Sequence, residues 1–148
     1  MKRLDCDVFM KNGSSLDLFD KVICITGNFY GEKDCYVTTA IIAGEDVVFE
    51  DCADTVAICA GGSVYIGKLS KTLSSTSDKD VFVDDFSYTN HIFAKNDVVL
   101  GNEVGSYSVT AGGDIIPGYY RKSKTFLDKL VDKIENFFFS KLEGKNQR

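Results

Sequence analysis

The 148-residue sequence contains no tryptophan, one proline and one histidine, His91. A single histidine excludes a metal site built from three histidines of one chain. Lysine and arginine number 17 against 22 aspartates and glutamates, and no basic cluster stands out, so the chain lacks the basic surface that phosphate binding requires. No apolar run approaches the ~20 residues of a membrane-spanning helix. We therefore expect neither a nucleic-acid-binding protein nor a transmembrane one.

The five cysteines are odd in number and show none of the CxxC spacing of metal sites. They fit reduced thiols better than a disulfide framework, which predicts a cytoplasmic location. Residues 1–7 lack the apolar segment of a secretory signal, which leads to the same expectation. The GxSxG, P-loop and GxGxxG motifs are absent from the sequence. We predict a non-enzymatic protein without catalytic, cofactor-binding or metal-binding residues.

What the sequence does contain is a 17-residue repeat. Units that begin at residues 22, 39, 56, 73, 90 and 107 align similar residues at fixed positions. Apolar residues alternate by two within a unit, as in β-strands, and glycines at positions 6 and 12 indicate bends between short strands. Position 5 holds Thr26, Ala43, Ala60, Ser77, Ala94 and Ala111. Position 9 holds Tyr30, Val47, Val64, Val81, Val98 and Ile115.

A repeat of this length without insertions predicts an all-β solenoid (β-helix) of about six 17-residue coils, spanning residues 22–122. Each coil would have three short sides, and equivalent side chains of successive coils would lie above one another. Residues 1–21 do not follow the repeat, and we interpret them as an atypical first coil or cap. The unit 73–89 is the weakest, because Ser75 and Ser77 stand where isoleucine and alanine are expected.

Residues 123–143 change to a helical period and predict a C-terminal amphipathic α-helix, followed by a polar tail at 144–148. The helix either caps the last coil or lies along a flank, and its length of ~30 Å, close to the height of six coils, favours the flank. Its polar face mixes acidic and basic residues, so packing is preferred over membrane contact. The residues expected to pack are Phe126, Leu127, Leu130, Val131, Ile134, Phe137 and Phe138.

Two positions that should face outward are apolar. Contiguous apolar patches on a surface usually mark a partner site, and one helix covers one such stripe at most. We predict self-association through position 10; the alternative is that the helix covers one stripe and the other faces inward. Position 4 holds Ile25, Ile42, Cys59, Thr76, Phe93 and Thr110. Position 10 holds Gly31, Val48, Tyr65, Phe82, Val99 and Ile116.

Several polar positions have structural interpretations. Cys35 and Cys52 share position 14 and are expected to be small buried neighbours on successive coils. His91 is expected on an outer strand in a structural role. Hydroxyl side chains recur at position 17 and predict a corner with hydroxyl-to-backbone bonds. The residues at this position are Thr38, Thr55, Thr72, Thr89, Ser106 and Ser123. Aspartate recurs at position 8, and we expect its carboxylates to bond the backbone at a bend in preference to binding calcium. The residues are Asp46, Asp80, Asp97 and Asp114.

Residues 25–31 (ITGNFYG), which lead into repeats over about 22–118, resemble the bactofilins, bacterial cytoskeletal proteins with a short-coil β-helix core. The resemblance implies a cytoplasmic scaffold that polymerises end to end without nucleotide. Residues 61–67 (GGSVYIG) are similar to hexapeptide-repeat acyltransferases, whose coils run at 18 residues and whose sites use a histidine between subunits. The 17-residue period and the isolated His91 rank this second resemblance lower.

These observations together predict a structural protein that associates with itself as a homo-oligomer or filament. Two alternatives stay open. The first is a module that binds another partner or serves as a structural part of a virion, and the second is an acyltransferase-like enzyme.

Overall fold

A computed structural model describes residues 2–18 and 22–117. These residues form a parallel β-solenoid of about seven turns, which confirms the predicted class. The predicted helix at 123–143, its packing residues within 126–138 and the tail at 144–148 lie outside the described residues. The strands are β1 (Lys2–Leu4), β2 (Val8–Met10), β3 (Ser15–Leu16), β4 (Val22–Ile25), β5 (Phe29–Gly31), β6 (Tyr36–Val37), β7 (Ala40–Ala43), β8 (Val47–Phe49), β9 (Asp54–Ala60), β10 (Val64–Ile66), β11 (Lys71–Ser77), β12 (Val81–Val83), β13 (Tyr88–Ala94), β14 (Val98–Leu100), β15 (Ser108–Ala111) and β16 (Ile115–Ile116).

The turns of the solenoid place these strands on three sides. Side 2 is a seven-stranded sheet in the order β2-β5-β8-β10-β12-β14-β16. The other two sides form one nine-stranded sheet: side 1 follows the order β1-β4-β7-β9-β11-β13-β15, and on side 3 β3 pairs with β6 and β6 with the first half of β9. Strands β9, β11 and β13 are each seven residues long and run across the corner from side 3 to side 1, which joins the two sides.

The central column of the core lies on side 2. Val47, Val64, Val81 and Val98 are successive Cα partners in single file, as predicted, and each is 0% exposed. Burial of one such side chain contributes about 1.5–3 kcal/mol, whereas ordering the backbone costs about 1–2 kcal/mol per residue. A single turn buries too few side chains to offset that cost, so the stack is stable only as a whole.

The predicted register of the unit 22–38 is wrong by one residue. Phe29, and not Tyr30, is the partner of Val47, so Phe29 is the member of the core column. Residues 1–21 contribute β1, β2 and β3, which pair in parallel with β4, β5 and β6. The stack therefore has about seven turns, one more than the repeat indicated.

The register changes because one corner of the solenoid varies in length. This corner leads from side 3 to side 1, and we call it the variable corner. Equivalent residues before and after it are joined by different lengths of chain, while the rest of each turn keeps its length. Six residues (17–22) separate Leu16 from Ile23, three (38–40) separate Val37 from Ile41, and two (56–57) separate Thr55 from Ile58.

The serine-containing turn is as regular as its neighbours, since β11 pairs with both β9 and β13. Ser77 is fully buried; its hydroxyl donates to the carbonyl of Gly62 (2.6 Å) and accepts from the amide of Lys79 (2.9 Å). Ser75 is 1% exposed, and its hydroxyl has no hydrogen-bond partner. The two serines therefore have opposite energetic consequences in the same strand.

The left-handed backbone positions do not coincide with the glycines of positions 6 and 12. Gly67 at position 12 does not have a positive φ; a Cβ there would lie 2.7 Å from the backbone nitrogen of Asp51, so glycine is needed for close approach of two turns. The residue with a positive φ comes two residues after position 12. In five turns this residue is not glycine, so its side chain strains the backbone. This column consists of Gly13, Asp34, Cys52, Leu69, Phe86 and Glu103.

Candidate interaction surface

The outward column on side 2 is apolar but largely shielded. Val48, Phe82 and Val99 point away from the core cluster and are nevertheless 8%, 6% and 3% exposed, while Tyr65 and Ile116 are half-buried. This column presents less apolar surface to a partner than the repeat pattern indicated. The interface predicted at these five residues stays a prediction.

Exposed apolar side chains are concentrated on the nine-stranded sheet. Six large apolar side chains of its strands are exposed, against one on the seven-stranded sheet, among the residues that the structure describes. On side 1, Ile42 (39%) and Phe93 (50%) belong to the stripe predicted at position 4. Ile25 does not, because Cys24 is the register partner of Ile42 and Ile25 is buried. The stripe at position 4 thus faces outward from Ile42 onward.

Side 3 carries the rest of this exposed surface. One outward column runs Tyr36, Asp54, Lys71 and Tyr88, which are successive Cα partners in β6, β9, β11 and β13. All four side chains are exposed, and both tyrosines are 49% exposed. Two residues further along β9 and β11, at the edge of side 3 where the variable corner begins, Val56 and Leu73 are exposed as well. We call these six residues the side-3 face.

Sequence reasoning missed the side-3 face because of the variable corner. With a constant period of 17, Asp54 aligns with Val37, which is buried, so the column has no aromatic residue at its start. The true step from Tyr36 to Asp54 is 18 residues. The available signal was the alternation in β13 and β11, where outward Tyr88 and Lys71 flank inward threonines.

The ring of Tyr88 is held against the neighbouring turn. A Cβ on Gly105 would lie 2.7 Å from the Cδ2 atom of Tyr88, so the ring covers the backbone of Gly105. The two residues also form a parallel bridge. Contact with the neighbouring turn restricts the ring, so it loses less conformational entropy on binding a partner than an unrestrained side chain would.

The aspartate column connects successive turns, which confirms the predicted bonds from carboxylate to backbone. Asp46 accepts from the amide of Ser63 (2.7 Å), Asp80 from that of Asp97 (2.9 Å) and Asp97 from that of Asp114 (2.8 Å). Each acceptor lies one turn before its donor, so these bonds tie turns together at a bend. Among the residues described, no group of three acidic, histidine or cysteine side chains is arranged to hold a metal ion.

The hydroxyl column lies inside the solenoid. Thr55, Thr72 and Thr89 are buried, and the hydroxyls of Thr55 and Thr72 are hydrogen-bonded to one another at 2.8 Å. The expectation of hydroxyl-to-backbone bonds is therefore wrong for this pair. Thr38 is not a member, because Val37 is the register partner of Thr55. Ser106 of the same column is half-buried, and its hydroxyl donates to the carbonyls of Asn90 (3.5 Å) and Ser108 (3.3 Å), so the expectation is confirmed there.

The cysteines at position 14 do not share an environment. Cys35 is 1% exposed, and burial raises the pKa of its thiol above the ordinary value. Cys52 is exposed at a left-handed corner, so its expected burial is wrong. Cys59 lies on the outward stripe of side 1, and desolvation followed by the charge of Asp78 raises its thiol pKa. The shift at both thiols favours the protonated form.

His91 is exposed on β13, on the outer surface as predicted. Its Nδ1 atom lies 2.8 Å from the hydroxyl of Ser108, and its ring meets that of Tyr107 edge-on at a centroid distance of 5.8 Å. Both partners are on the neighbouring turn. These contacts hold the imidazole against the surface of the stack.

The last described turn leaves the core open. Ile115 continues the column of Val47, Val64, Val81 and Val98, but it is 47% exposed. Its strand, β16, ends the seven-stranded sheet, and β2 ends the same sheet at the other side of the stack. Considering residues 2–18 and 22–117, the sheet thus has a strand edge at each end of the stack.

Comparison of the chain with protein family models, with curated proteins and with solved structures gives no match. Within the described part of the chain, no helix has the length and apolar character needed to cross a membrane.

Proposed function

We propose that this chain is a non-enzymatic structural protein whose solenoid associates with itself. The observation that carries the proposal is the concentration of exposed apolar side chains on the nine-stranded sheet, where Ile42, Leu73, Tyr88 and Phe93 are 39–51% exposed. Scattered single apolar residues are normal on a protein surface, whereas contiguous patches mark interaction sites. The regular strands beneath them provide a rigid surface.

The finer form of the proposal is a bactofilin-like scaffold in the cytoplasm that grows end to end. Support comes from the two ends of the stack. Within residues 2–18 and 22–117, β2 and β16 are the edge strands of the seven-stranded sheet, and an edge strand is a template for pairing with another chain. Ile115, exposed at one end, would gain the burial that Val98 already has if a further turn followed. An oligomer that closes on itself is the other form of self-association.

Sedimentation velocity over a wide range of protein concentration tests the proposal. Self-association predicts a sedimentation coefficient that rises with concentration. Electron microscopy of the same samples distinguishes filaments from closed oligomers. A monomer at every concentration would refute the proposal and favour a module that binds a different partner.

The acyltransferase alternative has its own readout. It requires a closed trimer that binds acyl-CoA and loses this binding in His91→Ala. Under the structural proposal, His91→Ala leaves the association state unchanged, because the imidazole is held by Ser108 and Tyr107 of the neighbouring turn in its own chain.

A further inference from the structure

The side-3 face has an order that a second copy of the same face complements. Along the stacking direction its column runs tyrosine, acid, base, tyrosine, at Tyr36, Asp54, Lys71 and Tyr88. Successive turns of a parallel ladder are ~4.8 Å apart, so the four side chains are evenly spaced. Reversing the column exchanges the acid with the base and one tyrosine with the other.

A two-fold axis in the plane of contact performs this reversal. If the axis runs along the strands, midway between β9 and β11, it keeps each column in place and inverts the order of turns. Asp54 of one copy then faces Lys71 of the other, twice, and Tyr36 faces Tyr88. Such isologous contacts, in which the same patch is used by both subunits, are the commonest way in which homodimers form.

The exposed apolar residues at the adjoining corner obey the same axis. Val56 in β9 and Leu73 in β11 are 37% and 51% exposed and lie two residues beyond Asp54 and Lys71. The operation places Val56 against Leu73, so an apolar pair lies beside each charge pair. Apolar pairs beside complementary charge pairs are found in specific interfaces.

From this arrangement we infer that the side-3 face is a two-fold contact between two copies of this chain, packed side by side with their solenoid axes antiparallel. The inference rests on the proposed self-association and names the surface that mediates it. The ring of Tyr88, fixed over Gly105, and the side chain of Leu73 are its anchors. The shielded column on side 2 takes no part in this contact.

A charge-reversal experiment tests the geometry directly. In D54K each copy presents two bases to two bases, and in K71D two acids to two acids. Each variant alone is expected to raise the dissociation constant of the dimer at least tenfold. An equimolar mixture of D54K and K71D restores association as a heterodimer, because every acid again faces a base, and the double variant D54K/K71D restores the homodimer.

Control variants separate loss of the contact from a change of net charge. K95D makes the same charge change as K71D at an exposed lysine away from the face and is expected to associate like the wild type. L73D removes the apolar anchor and is expected to leave a monomer. Circular dichroism and thermal unfolding establish that each variant retains the solenoid, which the exposure of Asp54, Lys71 and Leu73 favours.

The possible outcomes separate the two proposals. Sedimentation velocity and native mass spectrometry of the mixed sample are the measurements. Heterodimers formed from two weakened variants support the two-fold contact. Association of D54K and K71D at wild-type strength, or weakened variants that fail to rescue one another, overturns this contact and leaves self-association through another surface. A wild type that stays monomeric overturns the proposed function itself.

Discussion

Two serines in one strand provide a stability test with opposite expected signs. Ser75 is 1% exposed and its hydroxyl lacks a partner, so the fold carries the cost of removing that hydroxyl from water. An unsatisfied buried polar group costs about 1–3 kcal/mol. Ser75→Ala removes the group without adding volume, and we expect the free energy of unfolding to rise by about 1 kcal/mol.

Ser77→Ala is the matched substitution two residues away. It deletes a hydroxyl that bonds both the Gly62 carbonyl and the Lys79 amide, and leaves these backbone groups without that partner. We expect a loss of about 1–3 kcal/mol, since the net value of one hydrogen bond is about 1 kcal/mol and unsatisfied groups add to the loss. The two variants thus differ by about 2–4 kcal/mol.

Equilibrium unfolding in urea, followed by circular dichroism, measures both changes. The dependence on urea concentration must be the same in the variants and the wild type, because a changed slope means that part of the stack unfolds separately. If Ser75→Ala destabilises the protein as much as Ser77→Ala does, the hydroxyl of Ser75 is satisfied and the reasoning is wrong.

Three further predictions concern the backbone and a thiol. Asp46→Ala should lower the free energy of unfolding in urea by about 1–2 kcal/mol. Asp46→Asn should cost less than half of that, because the side-chain oxygen of Asn28 accepts the same kind of bond one turn earlier. Equal losses in the two variants would contradict the role of the acceptor oxygen. Leu69→Gly should stabilise the protein by about 0.5–1 kcal/mol, because glycine relieves the strain of a side chain at a φ of 56°. The control Lys68→Gly, at the preceding position, should destabilise it. A lower stability of Leu69→Gly would contradict the backbone strain at this position. Cys35 should resist thiol reagents in the native protein. The stability that its protonated thiol contributes should be present below about pH 9 and lost as pH rises through the raised native pKa. Cys35→Ala should flatten this decline, and an unchanged pH dependence of stability in that variant would contradict the prediction.

The class of fold could be predicted because stacking constrains the inward positions strongly. Val64 and Val81 occupy equivalent sites in neighbouring turns, so the same shape is required at an interval of one turn. The aspartate bonds could also be predicted, since a carboxylate repeated on adjacent turns must have a compensating donor. Asp97 and Asp114 show that the donor belongs to the next turn.

The exact register and the candidate surface could not be predicted, because a corner imposes little on the sequence. One additional residue between Val37 and Ile41 shifts all earlier positions but changes no inward preference strongly enough to be noticed. Leu69 and Phe86 in left-handed conformation are a second example. Such strain is maintained by the neighbouring turns, and local preference would have favoured glycine or asparagine there.

The variable corner also has a consequence for engineering. The corner is one residue longer in one turn than in the later turns and several residues longer in another, and the ladders on all three sides keep their pairing. A corner of this kind is a place to graft a short epitope or a reporter peptide. Because successive turns have a constant spacing, the choice of turn would set the position of the graft along the solenoid axis.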